Sequence, residues 1–114
     1  MAKNLILTCD AGTTGSKCSV FDPKGVALCV VKKEYATSYP KPNWAEQDPD
    51  VLYQSILEGV RELLAQVSPQ DIACVGLSGT MNGCIATSED GRALYPNNIH
   101  SDSRAWREAQ AIEK

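Results

Sequence analysis

Apolar residues follow two rhythms along this chain. From Asn4 to Cys9 the segment NLILTC is nearly continuous in apolar side chains, the pattern of a strand enclosed within a sheet. Ser16 to Phe21 alternates instead, with Cys18 and Val20 set against Lys17 and Ser19, as a half-buried strand does. Between them, Asp10-Ala11-Gly12-Thr13-Thr14-Gly15 reads as a turn rich in Gly and Thr. Asp22-Pro23-Lys24-Gly25 has the chemistry to reverse the chain into a third strand, from Val26 to about Tyr35. The first third therefore predicts an antiparallel three-strand meander.

The second rhythm is helical. Ser38 to Gln47 holds prolines and Trp44 and reads as a loop; Asp48-Pro49-Asp50 then has the signature of a helix start. Asp48 suits the cap, Pro49 the first helical position, and Asp50 the positive end of the helix dipole. Ile56, Leu57, Val60, Leu63, Leu64 and Val67 recur on one face, the stripe of a helix packed on a sheet, and Ser68-Pro69 stops it. Ile72 to Leu77 predicts a second buried strand, ending at Ser78-Gly79. The long helix gives the crossover that parallel pairing with the first strand requires. Gly83 to Thr87 predicts a short strand and Ser88-Glu89-Asp90-Gly91 a hairpin turn. Arg104 to Glu113 predicts a last helix, with Ser101, Asp102 or Ser103 as its cap and no stop signal at Lys114.

Composition narrows the function. The 114 residues suit one domain, and a net charge of −3 does not fit a basic nucleic-acid surface. The longest apolar run, Val26 to Val31, falls far short of the roughly 20 residues that span a bilayer. The first residues, Met1-Ala2-Lys3-Asn4, do not read as a signal peptide. Five cysteines without a CxxC pair predict reduced, mostly buried thiols rather than a disulfide framework or zinc site. These features together predict a cytoplasmic protein whose partners are neither nucleic acid nor membrane.

The chemistry concentrates at the first turn. Gly12 lacks a Cβ, so the backbone there can approach a phosphate closely. The N–H groups and hydroxyls of Thr13 and Thr14 can donate to phosphate oxygens, Asp10 can hold Mg²⁺, and Lys17 can neutralise phosphate charge. An ordinary hairpin with a capping Asp accounts for the same residues. Neither G-x-x-x-x-G-K-[ST] nor G-x-G-x-x-G occurs, and His100 reads as a loop or surface histidine.

Four ordered stretches resemble the FGGY carbohydrate kinases of the actin-like, ribonuclease H-like ATPase superfamily. Asp10 to Thr14 (D-A-G-T-T) resembles the family's first phosphate motif, with Lys17 where a basic residue is usual. Asn43 to Pro49 (N-W-A-E-Q-D-P) is similar to G-W-x-E-Q-D-P. Gly76 to Gly83 (G-L-S-G-T-M-N-G) is similar to G-I-S-G-Q-M-H-G, and Ser101 to Ala105 (S-D-S-R-A) to N-D-x-R-A. The departures are Gly15 where Ser or Thr is frequent, Thr80 for Gln, Asn82 for His, and His100 where a Trp often lines the pocket.

The resemblance implies an α/β ribonuclease H-like domain with a mixed sheet, and ATP-dependent phosphate transfer to a hydroxyl of a sugar or polyol. It implies that Asp10, Gly12, Thr13, Thr14 and Lys17 serve Mg²⁺ and ATP phosphates. Met81, Asn82 and Asp102 fall near the sugar pocket, although core packing for Met81 and helix capping for Asp102 explain those residues equally. The family's general base, an Asp, would lie beyond this chain, as would its adenosine pocket. The expectation is thus an N-terminal kinase segment, inactive alone, which needs the rest of the kinase as partner and self-associates through an apolar face. A stand-alone phosphate- or nucleotide-binding module acting with a partner chain is the alternative. A metal-dependent nuclease is weaker, because no strand-borne acidic cluster accompanies Asp10.

Overall fold

The computed structural model describes residues 3–113, so the expectations placed on Met1, Ala2 and Lys114 lie outside it. The elements run β1 (Leu5–Ala11), β2 (Gly15–Phe21), β3 (Ala27–Glu34), β4 (Glu46–Gln47), α1 (Pro49–Leu64), a 3₁₀ turn (Pro69–Asp71), β5 (Ile72–Gly79), β6 (Asn97–Asn98) and α2 (Trp106–Ile112). They divide between two units, Met1–Tyr35 with Asp50–Thr80, and Ala36–Pro49 with Met81–Lys114.

The first unit is a four-stranded sheet of order β3-β2-β1-β5. β1 runs antiparallel to β2 and parallel to β5, and β2 runs antiparallel to β3, so both the meander and the crossover have the predicted sense. The register aligns Leu7 with Val20 and Val75, and Cys9 with Cys18 and Leu77. Laterally paired residues share a sheet face, and α1 covers the β1–β2 part of this one. Leu7, Cys9, Cys18 and Val20 close around Leu63, with Cys29, Val31, Ile56, Val60, Leu64 and Val67 packed at their margin.

The helix face differs in detail from the predicted stripe. The line nearest the sheet is Ser55, Gly59 and Leu63, four residues apart, and the larger apolar residues flank it. Leu57 is half-buried and lies outside that cluster. A Cβ on Gly59 would stand 3.0 Å from Cys18 Sγ, so the absent side chain lets helix and strand approach. Ser55 can be buried because its hydroxyl donates to the Leu52 carbonyl at 2.6 Å and accepts from the Ser16 hydroxyl at 2.9 Å. Burial and the neighbouring Cys9 push the Cys18 thiol up to about 12, which keeps it protonated and unreactive.

β5 departs from its prediction as a buried strand: Val75 is 59% exposed and Leu77 80%. Both sit on the α1 side of the sheet, but α1 lies over β1 and β2 and leaves the outer strand uncovered. The thiols depart in the same way, since Cys74 and Cys84 are exposed while Cys9 and Cys18 are buried.

In the second unit, β4 and β6 pair antiparallel, Glu46 opposite Asn98 and Gln47 opposite Asn97. The loop predicted over Ser38 to Gln47 thus ends in a strand. No strand forms over 83–87; Cys84 and Thr87 make isolated bridges to Asn98 and Ala93, around a turn closed by Gly91 at φ +82°. A two-stranded pairing this short offers no continuous ladder for that segment to extend. The last helix starts at Trp106 rather than Arg104, with Ala105 at its cap and no side-chain cap bond.

Leu63→Ala should cost about 2–5 kcal/mol, because Leu63 has no exposed surface and its neighbours cannot close the cavity fully. The check is a clear fall in melting temperature of the full-length protein, with Tyr53→Ala on the exposed face of α1 as the near-neutral control. Equal melting temperatures for the two variants would contradict this core.

Candidate functional site

In the first unit the candidate site is the turn after β1. Asp10 stands on β1, one residue before its end, at the edge of the predicted turn. Its register partner across β2 is Lys17, whose other neighbour is Lys32, so one carboxylate and two ammonium groups share a sheet face. No ion pair links Asp10 to Lys17 among the described residues. The connecting residues Gly12, Thr13 and Thr14 form a tight reversal in which Gly12 N–H donates to the Gly15 carbonyl at 2.9 Å. Thr13 and Thr14 are exposed.

Backbone from just beyond β5 and β3 fixes the turn. Thr80 N–H donates to the Ala11 carbonyl at 3.0 Å, and Tyr35 N–H to the Thr14 carbonyl at 3.2 Å. The Tyr35 hydroxyl donates to the Gly12 carbonyl. Burial and the nearby Asp10 charge hold the Tyr35 phenol above its ordinary pKa, so it stays a donor at neutral pH. Gly15 is explained by space: a Cβ there would lie 2.2 Å from the Lys33 carbonyl oxygen. The close β2–β3 approach at this point therefore excludes the Ser or Thr expected at that position.

These residues fit a magnesium-bound phosphate. A Cβ on Gly12 would sit 3.0 Å from the Gly15 carbonyl and 3.7 Å from Asp10 Oδ2, so glycine keeps the space beside the carboxylate open. Among the described residues no three His, Cys, Asp or Glu side chains cluster as a metal cage. A single carboxylate beside a glycine turn matches the way Mg²⁺ is usually held, by one or two carboxylates plus phosphate and water.

The second unit holds a pocket of about 420 Å³ lined by residues that include Asn82, Cys84, Asn98, Asp102, Arg104 and Trp106. Asn82 adopts φ +60°, a left-handed conformation that asparagine tolerates better than most residues. Met81 is 78% exposed.

Asp102 lines the pocket, but its carboxylate is already engaged. Oδ2 accepts from Ala45 N–H at 2.7 Å and from Arg104 Nη2 at 2.7 Å. Oδ1 accepts from Arg104 N–H at 3.1 Å and Nε at 2.9 Å. Asp102 therefore closes a turn on Arg104 and does not cap α2, whose cap is Ala105. Arg104 also donates to Glu46 at 2.8 Å and stacks 3.8 Å from the Trp44 ring centroid. The guanidinium holds the Asp102 carboxyl down at about 2, and its two carboxylate partners hold Arg104 well above its ordinary value. This cluster ties the N-W-A-E-Q-D-P stretch to the S-D-S-R-A stretch. Trp44, Glu46 and Arg104 lay within those motifs without being singled out; Tyr35 had no sequence signal at all. His100 is exposed, as predicted.

The sequence model of the FGGY carbohydrate kinase N-terminal domain matches residues 5–114. The chain belongs to the FGGY family of carbohydrate kinases. Among its relatives, a glycerol kinase of Francisella philomiragia is 44% identical over 98 residues, covering 83% of this chain and 20% of the relative. A ligand-bound xylulose kinase from Lactobacillus acidophilus superposes with a TM-score of 0.87 at 27% identity, over 96% of this chain and 22% of that one. A Plasmodium falciparum glycerol kinase solved with ADP, 20% identical, shares the fold at a TM-score of 0.84, over 97% of this chain and 23% of its own. This FGGY chain thus has the actin-like, ribonuclease H-like fold, and it spans about a fifth of the length of the relatives it matches.

The FGGY segment should show an acid-sensitive contribution from Asp102. Its folded-state pKa, about 2, lies below the ordinary 3.8, so the stabilisation is complete above the ordinary value and is lost as pH falls through 2. Asp102→Asn should melt below wild type at pH 6, with the gap narrowing between about pH 4 and pH 2.5. A gap constant over that range would show that the carboxylate charge is not what holds Arg104.

Proposed function

We propose that this chain is the phosphate-binding N-terminal part of an ATP-dependent kinase that transfers the γ-phosphoryl group to a hydroxyl of a sugar or polyol. The observation that carries the reading is the β1–β2 turn, where Asp10 precedes Gly12 and has Lys17 as its register partner across β2. Mg·ATP supplies the transferable phosphoryl group and the cation that neutralises it. Within this chain, Asp10 holds the magnesium directly or through water, and the N–H groups and hydroxyls of Thr13 and Thr14 bind phosphate oxygens. Lys17 balances their charge. Phosphoryl transfer rests on this kind of positioning and charge stabilisation.

Met81 and Asn82 are the candidate substrate contacts. Asp102 serves the substrate side by fixing Arg104 and the pocket wall, since its own oxygens are occupied. The relatives' names, glycerol kinase and xylulose kinase, support a polyol or sugar acceptor, and the ADP in the Plasmodium enzyme supports ATP as donor. The chain spans about a fifth of its relatives' length and is inactive by itself; its partner is the remainder of the kinase, in the cytoplasm. No helix among the described residues is long and apolar enough to cross a membrane.

The test is ADP release by the full-length protein with a panel of polyols and sugars that includes glycerol, xylulose and gluconate. At least one should stimulate release, and Asp10→Asn should then lower kcat by about a hundredfold or more while the polyol KM stays near wild type. No stimulation by any acceptor contradicts the kinase reading. A near-normal kcat in Asp10→Asn removes Asp10 from the mechanism.

A further inference from the structure

We infer that Tyr35 is a positioning residue for the phosphate turn, holding the Gly12–Thr14 backbone in the shape that receives the nucleotide phosphates; this rests on the kinase reading above. The argument begins with the turn's own weakness. Only three residues link β1 to β2, Gly12 is free of side-chain constraint, and Thr13 and Thr14 are exposed. Across the turn, Gly12 N–H donates to the Gly15 carbonyl. A glycine in such a place gives the backbone room to approach phosphate, and it equally lets the peptide planes rotate away.

Tyr35 removes that freedom from both sides. Its backbone N–H donates to the Thr14 carbonyl, and its hydroxyl donates to the Gly12 carbonyl. One residue just beyond β3 thus engages the first and last carbonyls of the turn. A carbonyl fixed on one side of a peptide plane fixes the N–H on the other, because the plane is rigid. Anchoring the Gly12 carbonyl therefore aims Thr13 N–H, and anchoring the Thr14 carbonyl aims Gly15 N–H. The Tyr35 ring is half-buried, whereas Thr13 and Thr14 are exposed. The strand that delivers Tyr35 is itself held: Lys33, two residues earlier, pairs with Glu62 on α1, and Gly15 lets β3 approach closely.

The hydroxyl alone separates this role from packing. Tyr35→Phe keeps the ring and the backbone bond and deletes only the donor to Gly12. In the full-length kinase this variant should raise KM for Mg·ATP about five- to tenfold, with the acceptor KM unchanged. Val31→Ala on the same strand, which thins the core beneath it, serves as the control. It should lower the melting temperature more than Tyr35→Phe does and leave KM for Mg·ATP near wild type. The inference is overturned if Tyr35→Phe matches wild type in KM for Mg·ATP. It is also overturned if both KM values rise together, or if Val31→Ala raises KM for Mg·ATP as much as Tyr35→Phe. Wild-type protein that releases no ADP with any acceptor overturns the kinase reading as well, which separates that failure from a failure of Tyr35 alone.

Discussion

β1 is hydrogen-bonded along both edges, and most of the candidate site follows from those two ladders. The antiparallel ladder to β2 has to be joined by a tight connection, and that connection sits at the carboxyl end of β1 because the chain reverses there. The parallel ladder to β5 brings a second strand's carboxyl end to the same place, so that Ala11 lies opposite Gly79 and Thr80 bonds back to Ala11. The carboxyl ends of strands in open α/β sheets are where ligands generally bind. Lateral register then sets Asp10 beside Lys17 on one face, and no further device is needed to bring acid and base to the turn.

The core has the task of keeping β1 in register. A slip of one residue would turn Leu7 and Cys9 away from α1 and Asp10 into the apolar layer. The helix opposes this slip with a graded face: Ser55 bonds to Ser16 at the turn end, Gly59 admits Cys18 in the middle, and Leu63 fills the far end. The polar end of α1 and the β1–β2 turn are thus linked through Ser16, the second residue of β2. Small and polar residues, rather than the large apolar ones, decide how near the helix comes to the site.

Much of this was legible in the sequence, for reasons that differ by element. β1, β2, β3, α1 and β5 each carry a periodicity bounded by Gly, Pro or Asp, and local signals of that kind survive without tertiary context. β4 and β6 were not legible, because a two-residue strand has no period and its partner lies some fifty residues away. The apolar run of β5 announced a strand but not its exposure, since composition cannot say which face another element covers. The residue types of the first turn were legible; that Gly15 is required by the Lys33 carbonyl and that Tyr35 bonds to the turn depend on how β3 lies beside β2. For Asp102 the sequence offered substrate contact or helix capping, and the structure shows a third engagement, the clamp on Arg104.

The central claim is that the β1–β2 turn receives the nucleotide phosphates. It is tested most directly by a crystal structure of the full-length kinase with Mg·ADP and an acceptor polyol. The account predicts phosphate oxygens within hydrogen-bond distance of Thr13 or Thr14, Lys17 turned toward them, and the metal beside Asp10. Phosphates bound elsewhere, with Gly12 to Thr14 facing only solvent, would contradict it.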